Sequence, residues 1–564
     1  MKKRIVSMIL ASAMTMSLLA GCGADAEEKQ EVSKESTASS EQASNEQAPV
    51  EEKDDLSETV VITVATSRAT AEGDYNELLF VKEMEERFNV DFQFSTYSSE
   101  TWTEKWPLLF ASNELPDVFF KDVDCSIYGP QGYFMPLEDY ITEEATPNIW
   151  KMWQEKPQIK AISTAADGHI YYLQGIDEDE FQRDKNRFYI NEVWANEIIG
   201  KHPETVDEFY DYLVGVRDKD MDGDGDPNNE IPLGGSYTAG NKSNELNILS
   251  PILAAFGHLN AGIEVQDDGS VIDVSTHDDY KEFLKYMNKL WEEGLVDSEF
   301  FTMDSSQANA KNSMGLYGAT AGWMISSAHP ENYEDYSFIA PMTSAINDVQ
   351  MQIGRDVRTF GGFCINSESE NVERILMVMD WLFSEEATIM STCRTFDYGE
   401  IEEYPEMSMI SFVDEETGNR GTKLVNKEDE EVVPEGYASS GDFVYAFVAP
   451  TYGAFPGYVT WSAYSEPGTP GGQLVNETLE YHAPYYKTAL PVGVVLSEAE
   501  GSEISLLDAD LTPYQQEMET KMIRGEVDID EVWDTYVKGM KDRSIDRKVE
   551  IYQTAYDRYA ANLE

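Results

Sequence analysis

An acidic loop is the stretch of this sequence whose residue types and spacing most directly imply chemistry. Residues 217–235 read RDKDMDGDGDPNNEIPLGG, with an aspartate at every second position from 218 to 226. Carboxylates this close repel one another unless a cation lies among them, and alternating oxygens let a tight loop wrap a hard cation. All-oxygen ligation favours Ca²⁺ over zinc or copper. We therefore expect a calcium site in this loop.

Two registers of the loop fit a calcium ion. In the first, which starts at Asp218, the pattern D-x-D-x-D-G places Gly223 at the bend and Asn229 at the twelfth position. In the second, Gly225 is at the bend and the ligands are Asp220, Asp222, Asp224, the Asp226 backbone carbonyl, Asn228 or Asn229, and Glu230. The loop lies between a predicted helix and a following strand, and protein oxygens fill the coordination shell. We expect an ion that holds the fold and performs no chemistry.

The charge balance of the 564-residue chain excludes several classes of partner. The chain has 106 acidic and 41 basic residues, which gives a formal net charge of -65. Such a surface repels nucleic acid and anionic membranes, so no nucleic-acid partner is expected. Hydrophobic residues still make up 41% of the chain. They support a packed core, and the length indicates more than one lobe.

Residues 1–21 have the pattern of a lipoprotein signal peptide. The basic start KKR precedes an apolar run that is too short to span a membrane. The run ends in LAGC, which resembles a bacterial lipobox, and its cysteine is Cys22. In a lipobox the cysteine thiol receives a diacylglycerol. We expect this lipid to anchor the mature chain at the extracellular face of the cell membrane.

Residues 22–58 combine this cysteine with an acidic, serine-rich stretch. It has too few large apolar residues to order itself, so we interpret it as a flexible tether.

The cysteines that remain, Cys125, Cys364 and Cys393, are odd in number, which argues against a disulfide framework. We expect all three to be small buried apolar residues.

Strand and helix patterns alternate from residue 59 onward, which is typical of an α/β fold. The run TVVITVATS predicts a strand, and NELLFVKEMEERFNV after it places apolar residues at helical spacing. The segment TVDEFYDYLVGVRD begins with the capping-box pair Thr205 and Glu208. DDYKEFLKYMNKLWEEGL predicts a long amphipathic helix. We therefore expect sheets with parallel strands and a helical C-terminal segment.

Several segments, in this order, resemble the family 1 extracellular solute-binding proteins. The nearest branch is the lipoproteins that serve oligosaccharide ABC importers of Gram-positive bacteria. The resemblance is carried by NELPDVFF (113–120), DGHIYYLQ (167–174), the long stretch from RFYINEVW to DPNNEIPL (187–233), and the C-terminal IRGEVDIDEVWDTYVKGMKDRSIDRKVEIYQTAYDRY. Relatives carry a similar acidic loop ending in EIP, here at residues 230–232. We therefore prefer the register that starts at Asp220.

The resemblance implies a two-lobed, periplasmic-binding-protein-like α/β clamshell that catalyses nothing. Lobe 1 is expected mainly over residues 59–190 with a later return, and lobe 2 mainly over residues 191–320 with the C-terminal helices. A ligand between the lobes shifts the equilibrium toward a closed form. The permease subunits of an ABC transporter recognise that form. We expect a monomer that captures a carbohydrate, with an oligosaccharide as the preferred class.

Candidate ligand contacts are aromatic and polar side chains in loops. Sugars present flat C–H faces, which stack on rings, and hydroxyls, which bind polar groups. Small residues precede Trp323 in GATAGWMIS, and Trp461 lies in an aromatic loop, GYVTWSAYSE. The two arginines of IGRDVRT suit hydroxyls or a uronate carboxylate, and equally suit structural ion pairs. The candidates are Trp323, Trp461, Tyr172, Tyr398, Glu400, Arg355 and Arg358.

Three other functions fit parts of the sequence. A peptide in place of the sugar gives a peptide-binding ABC lipoprotein. A secreted glycoside hydrolase needs two carboxylates about 5–10 Å apart across a cleft, and the 106 acidic residues are compatible with such a pair. However, the sequence contains no G-x-S-x-G, H-E-x-x-H or P-loop motif. A calcium-dependent adhesion protein predicts repeated calcium loops, and the sequence contains one.

Overall fold

The computed structural model describes residues 56–112, 114–121, 123–184, 186–226, 229–237, 247–329, 331–437, 439–451 and 453–563. The chain divides into residues 1–53 and 54–564, and every described residue belongs to the second unit. The predicted signal peptide, Cys22 and Asn228 lie outside the described residues. No helix in the described part of the chain is long and apolar enough to cross a membrane.

The strands are mostly short and spread along the whole of this unit. They are β1 (Val60–Arg68), β2 (Val90–Ser98), β3 (Val118–Phe120), β4 (Leu173–Asp177), β5 (Arg187–Asn191), β6 (Ile231–Leu233), β7 (Ile263–Val265), β8 (Val271–Asp273), β9 (Tyr317–Gly322), β10 (Tyr336–Phe338), β11 (Gln352–Ile353), β12 (Arg358–Ile365), β13 (Ser408–Val413), β14 (Arg420–Val425), β15 (Tyr458–Val459) and β16 (Tyr486–Lys487).

Helices fill most of the intervals between strands and the whole C-terminal part. They are α1 (Leu79–Phe88), α2 (Ser99–Ser112), α3 (Cys125–Tyr128), α4 (Pro147–Glu155), α5 (Pro157–Ser163), α6 (Glu192–Ile198), α7 (Val206–Asp218), α8 (Leu249–Ala254), α9 (Asp278–Glu292), α10 (Ser305–Ser313), α11 (Ile325–Ala328), α12 (Val372–Leu382), α13 (Glu385–Thr392), α14 (Ser440–Phe447), α15 (Pro470–Tyr481), α16 (Glu498–Ile523), α17 (Ile529–Asp542) and α18 (Ile545–Ala561).

The first sheet has the strand order β15-β4-β12-β3-β1-β2. The predicted strand at residue 59 is β1, which pairs in parallel with β2 along its whole length. The returning strand β12 runs antiparallel to both β3 and β4. Ile62, Val64 and Phe120 from this sheet are buried in one core with α1 and α12. Residues far apart in sequence therefore complete the first sheet and its core.

The second sheet has the strand order β10-β5-β9-β6. Its core combines α7 and α9 with residues of the C-terminal helices, such as Trp533 and Tyr536 on α17. One half of the capping box predicted for α7 is present, since the Thr205 side chain accepts a hydrogen bond from the Glu208 backbone nitrogen, whereas the Glu208 carboxylate accepts from the Glu204 backbone nitrogen. The three cysteines of the described body are buried free thiols, which confirms the expectation that they are buried apolar residues.

Three connections carry the chain between the elements of the two sheets. The first crossover, residues 178–186, leads from β4 to β5. The second crossover, residues 339–357, leads from β10 back to β12. The third crossover, residues 460–469, leads from β15 to α15, which packs against β10. The chain therefore leaves the first sheet at the first crossover, returns to it at the second and leaves it again at the third.

A further connection returns to the first core just before the C-terminal helices. Residues 488–497 follow β16, and Val492 and Val494 pack with Ile162 of α5 and Tyr559 of α18. Gly493 lies so close that an added Cβ would be 2.3 Å from the Tyr559 ring. The end of α18 is thus fixed against α5 by a small apolar cluster.

A buried ion pair joins the first and second crossovers to the end of α15. Asp184 and His482 are both 0% exposed, and His482 Nδ1 lies 2.7 Å from Asp184 Oδ2. His482 Nε2 lies 3.0 Å from the carbonyl oxygen of Ile339, and Gln352 Nε2 donates to the same Asp184 oxygen at 3.1 Å. Both partners of the ring are oxygen acceptors, so each ring nitrogen faces an atom that can accept a hydrogen bond from it.

The electrostatics of this pair follow from its surroundings. Burial by itself would raise the pKa of Asp184, but the hydrogen bond and charge of His482, together with Arg187, hold that pKa below its ordinary value. A carboxyl with a lowered folded pKa stabilises the fold above its ordinary pKa of about 3.9. That stabilisation is lost as the pH falls through the lowered value.

We predict that Asp184→Asn lowers the free energy of unfolding at pH 7 by about 3–5 kcal/mol, because it removes the charged acceptor of a fully buried histidine and breaks a buried pair. Urea denaturation at pH 7 measures this loss. The matched control is Glu503→Gln, which removes an exposed carboxylate 2.8 Å from Arg547 and should leave the urea midpoint unchanged. Equal midpoints for the two variants would contradict the structural role of the pair.

Candidate functional site

The acidic loop brings three of its predicted ligands together. Single carboxylate oxygens of Asp220, Asp222 and Asp224 all lie within 4.8 Å of one another, on the exposed side of the loop. Asp220 accepts hydrogen bonds from the backbone nitrogens of Gly223 at 2.9 Å and Gly225 at 3.0 Å. Both glycines have positive φ, 76° and 95°. This backbone folds the loop around its own carboxylates.

Glu230 closes the loop from the far end. Its Oε1 accepts from the Met221 backbone nitrogen at 2.6 Å. Its Oε2 is buried and has no hydrogen-bond partner among the described residues. Three converging aspartates and an orphaned buried carboxylate oxygen on the residue that ends the same loop are oxygen donors of the kind that a hard cation takes. The residues present therefore fit a calcium ion.

The neighbouring acidic residues differ from these four. Asp218 ends α7 and is paired with Arg217, with its Oδ1 2.7 Å from the arginine Nε. The backbone nitrogen of Asp226 donates to Asp224 Oδ1 at 2.8 Å, and the Asp226 carbonyl, the predicted ligand, accepts from the Asn229 nitrogen at 3.4 Å. The engagement of Asp218 by an arginine favours the register that starts at Asp220.

Trp323 follows β9, at the edge of a cavity of about 510 Å³. The cavity is lined by hydroxyl and amide side chains together with Tyr189 and Met324. The guanidinium carbon of Arg187 lies 4.4 Å from the centroid of the Trp323 ring. Arg187 is fully buried and donates to Thr478 on α15 at 2.7 Å and to the Phe181 carbonyl. The second sheet, α15 and the first crossover therefore fix this ring.

Trp461 lies on the third crossover and also stacks on an arginine. The guanidinium carbon of Arg420 is 5.0 Å from the centroid of its ring. Two residues later, the Ala463 backbone nitrogen donates to Asp179 of the first crossover at 2.7 Å. Ala463 packs in the same apolar cluster as Trp323. Trp461 is therefore two residues from a segment that contacts both the first crossover and the cluster that contains Trp323.

Tyr172 and Arg358 both contact strands of the first sheet, close to the first and second crossovers. Tyr172 Oη donates to the Gly361 carbonyl at 3.1 Å, and its ring lines a separate cavity of about 250 Å³. Arg358 Nη1 lies 2.7 Å from Oδ2 of the buried Asp177. Arg355 is exposed on the second crossover, where its carbonyl accepts from Arg183 Nε at 2.6 Å. The sequence left open whether Arg358 binds ligand or forms a structural ion pair, and the structure shows the ion pair.

Tyr398 and Glu400 lie in a different part of the body. Tyr398 is 41% exposed and donates to the Asn426 carbonyl at 2.7 Å. Glu400 accepts from the Asp397 backbone nitrogen at 2.7 Å and lines a cavity of about 160 Å³ with residues of α1. Their hydrogen bonds are made within their own loop and to the hairpin β13–β14, and none of these contacts involves a crossover residue.

Comparison with known proteins gives two curated relatives and no family model. No family model matches the chain. The fructooligosaccharide ABC transporter substrate-binding protein FusA of Streptococcus pneumoniae is 26% identical over 512 residues, which cover 87% of this chain and 88% of FusA. The lipoprotein LipO of Bacillus subtilis is 24% identical over 238 residues, 41% of this chain and 43% of LipO.

Solved structures agree in fold. An extracellular solute-binding protein from Bifidobacterium longum subsp. infantis superposes with a TM-score of 0.74 at 19% identity, over 89% of this chain and 98% of that one. FusA in complex with kestose superposes with a TM-score of 0.66 at 23% identity, over 89% and 100%. The resemblance to extracellular solute-binding proteins is confirmed. The predicted two-lobed α/β fold of that family is confirmed with it.

The sequence reasoning missed the partners that position the aromatic rings of this solute-binding fold. Arg187, Arg420 and Asp179 were not among the candidates. Each acts across a long sequence separation, 291 residues between Arg187 and Thr478 and 284 between Asp179 and Ala463. One local signal was present, since Asp177 and Asp179 flank a glutamate directly after β4.

Asp179 differs electrostatically from Asp177, although both are buried. Burial raises the pKa of Asp179 to about 7, and the negative charge of Asp177 adds to the rise. Asp177 has Arg358 as a counter-charge, whereas Asp179 accepts the Ala463 amide. The first crossover therefore carries a carboxyl that titrates near neutral pH, bonded to the third crossover.

We predict that Asp179→Asn stabilises the protein more at pH 8 than at pH 5, by about 2–3 kcal/mol. A raised folded pKa means that the folded state holds the proton more tightly, so stability is lost as the pH rises from about 4 toward 7. The amide keeps an acceptor for Ala463 without the charge. Urea denaturation at both pH values measures the difference.

The neighbouring variant Asp177→Asn is the control for this prediction. It removes the partner of Arg358 and should destabilise the protein at both pH values. An Asp179→Asn effect that is the same at pH 5 and pH 8 would show that Asp179 is already ionised in the fold at pH 5.

Proposed function

We propose that this protein is an extracellular lipoprotein that captures an oligosaccharide between its lobes and delivers it to the permease subunits of an ABC transporter. Cys22 carries the lipid anchor, and the protein catalyses no reaction. The observation that carries the proposal is the pair of tryptophans, Trp323 and Trp461, that flank the crossovers. Each is fixed by a guanidinium on one face. Fixed indoles with a polar surrounding are suited to the alternating C–H faces and hydroxyls of a sugar chain.

The cavity beside Trp323 supports this assignment. Its volume of about 510 Å³ lies within the range of roughly 300–1,000 Å³ for small-molecule sites. Serine and asparagine side chains line it, which offers hydroxyl and amide groups to sugar hydroxyls. Further proposed contacts are Tyr172, Tyr398, Glu400, Arg355 and Arg358. Of these, Tyr172 and Arg355 lie beside the crossovers, whereas Tyr398 and Glu400 line a peripheral loop.

The relatives suggest which sugars to test first. FusA is named for fructooligosaccharides and has been solved with kestose and, as an EF-hand mutant, with fructo-nystose. We propose a neutral oligosaccharide of this general class. A ligand that contacts residues on both sides of the crossovers favours the closed arrangement by the difference between its affinities for the two forms. Ligand binding therefore raises the population of the closed form, which a permease can distinguish from the open form.

We also propose that the acidic loop binds Ca²⁺ as a structural ion. Asp220, Asp222, Asp224 and Glu230 supply carboxylates, and the Asp226 carbonyl and Asn228 complete the set. The orphaned Oε2 of Glu230 supports this assignment. The ion would neutralise the repulsion among these carboxylates and fix the end of α7 to β6. It lies in a loop of the second sheet and takes no part in sugar chemistry.

We predict that kestose or a longer fructooligosaccharide raises the melting temperature of residues 56–564 and binds with a Kd of about 1 μM or lower, roughly −8 kcal/mol. Calorimetry measures the affinity, and chromatography of the recovered sugar tests for cleavage. Trp323→Ala and Trp461→Ala should each weaken binding about 10- to 100-fold. Uronic oligosaccharides and peptides are screened in parallel.

The control tryptophan is Trp291, which packs on α9 with its ring centroid 5.1 Å from that of Phe301. Trp291→Ala should lower the melting temperature and leave the affinity unchanged. Binding of a peptide but no sugar would overturn the carbohydrate assignment. Recovery of a shortened sugar would overturn the assignment as a binding protein without enzymatic activity.

We predict that Ca²⁺ at 100 times its Kd stabilises the protein by about 2.7 kcal/mol. Glu230→Gln should weaken Ca²⁺ binding by at least about tenfold, because a charged ligand is lost. Asp218→Asn is the matched control and should leave Ca²⁺ binding unchanged, since Asp218 is paired with Arg217. Loss of binding in Asp218→Asn with retention in Glu230→Gln would instead assign the register that starts at Asp218.

A further inference from the structure

The hairpin β13–β14 is built directly onto the third crossover. Its two strands pair antiparallel from Ser408 and Val425 to Val413 and Arg420. At the end of the hairpin, the Arg420 backbone nitrogen donates to the Ser462 carbonyl at 2.9 Å, and the Arg420 carbonyl accepts from the Tyr464 nitrogen at 2.8 Å. The third crossover therefore adds a strand-like segment to the hairpin immediately after Trp461.

A second contact fixes the same two segments. The ring of Phe412 on β13 lies edge-on to that of Tyr464, with centroids 5.5 Å apart. Gly421 leaves room for this ring, since an added Cβ there would be 2.5 Å from it. Backbone bonds on one side and a ring pair on the other hold the hairpin against the crossover. The hairpin is thus a fixed neighbour of Trp461.

The Arg420 side chain fills the space between the hairpin and the indole. Its guanidinium lies 5.0 Å from the Trp461 ring centroid. Nη1 donates to Ser411 Oγ at 3.2 Å, and Nη2 lies 3.5 Å from Glu385 Oε1 on α13. The side chain is 17% exposed, and its Nε has no hydrogen-bond partner in the described part of the chain. Stacking on the ring is therefore a principal contact of this group.

Arg187 and Trp323 form a similar pair, in which an arginine guanidinium again lies over an indole ring. There too a guanidinium held by hydrogen bonds, to Thr478 and Phe181, lies over an indole. Each guanidinium covers one face of its ring, so a ligand stacks on the opposite face. A planar guanidinium suits this task better than a lysine ammonium, because it stacks and donates hydrogen bonds in its own plane at once.

We propose that Arg420 is a positioning residue for the sugar site. It holds the Trp461 indole in the orientation that accepts a sugar ring, and the hairpin behind it forms the wall that bounds the site at the third crossover. This inference rests on the proposed function.

A double-mutant cycle tests this role, with kestose and longer fructooligosaccharides as ligands. Arg420→Ala should weaken binding about tenfold in the natural background. In a Trp461→Ala background the same change should have no further effect, because a positioning residue acts only through the group it positions. Arg420→Lys, which keeps the charge but not the planar stack, should recover part of the loss. The near-ultraviolet circular dichroism of Arg420→Ala should lose an indole signal that Arg420→Lys partly keeps.

The matched control lies on the same strand. Lys423 is exposed and lies 5.1 Å from the Phe412 ring centroid, so Lys423→Ala alters a cation–ring contact of the hairpin away from Trp461. It should leave the affinity for every sugar unchanged. If Arg420→Ala does not fold, Arg420→Met replaces it, since it keeps the side-chain volume without the charge.

The outcomes separate this inference from the proposed function. A tenfold loss that persists in the Trp461→Ala background would overturn the positioning role and make Arg420 a direct contact. Unchanged affinity and chain-length preference in Arg420→Ala, with the natural protein binding sugar, would overturn the inference alone. A folded natural protein that binds no oligosaccharide would overturn the proposed function, and the inference with it.

Discussion

The buried pair of Asp184 and His482 is the constraint on which the rest of the arrangement depends. It takes one residue from the first crossover and one from the end of α15, and it is completed by Ile339 and Gln352 of the second crossover. A charge pair removed from water is stable only when each polar atom has a partner. Three separate passages of the chain must therefore meet at one point, which sets where β5, β12 and α15 begin or end.

The aromatic rings at the crossovers are positioned by arginines that lie close to this ion pair in the chain. Arg187 starts β5 three residues after Asp184 and reaches both Trp323 and α15. Arg183 lies 5.1 Å from the Tyr486 ring centroid, beside the same pair. In a chain with a formal net charge of -65, several of its 41 basic residues are thus gathered at the crossovers. The surface is acidic overall, while the region between the sheets is locally balanced.

Sequence reasoning succeeded where the determining contacts are local. The acidic loop closes within ten residues, so alternating aspartates and glycines were enough to predict that Asp220, Asp222 and Asp224 converge. Trp323 and Trp461 were predicted as ligand contacts because small or aromatic neighbours distinguish loop tryptophans from those on helical stripes, and that role stays a prediction. The ion pair of Asp184 with His482 spans 298 residues, and no periodicity encodes it. Tyr398 and Glu400 were predicted as aromatic and polar loop side chains, and their hydrogen bonds to Asn426 and Asp397 do not reach the crossovers.

The contact between α18 and α5 has a mechanical consequence. The cluster around Gly493 fixes the C-terminal helices, whose core surrounds the second sheet, to a helix that precedes β4 of the first sheet. Gly493 lies between the Tyr559 ring and the Ile162 backbone with no room for a Cβ, so a shift of α18 relative to α5 would displace this connection. A rotation about the crossovers would therefore either carry this cluster along or break its contacts.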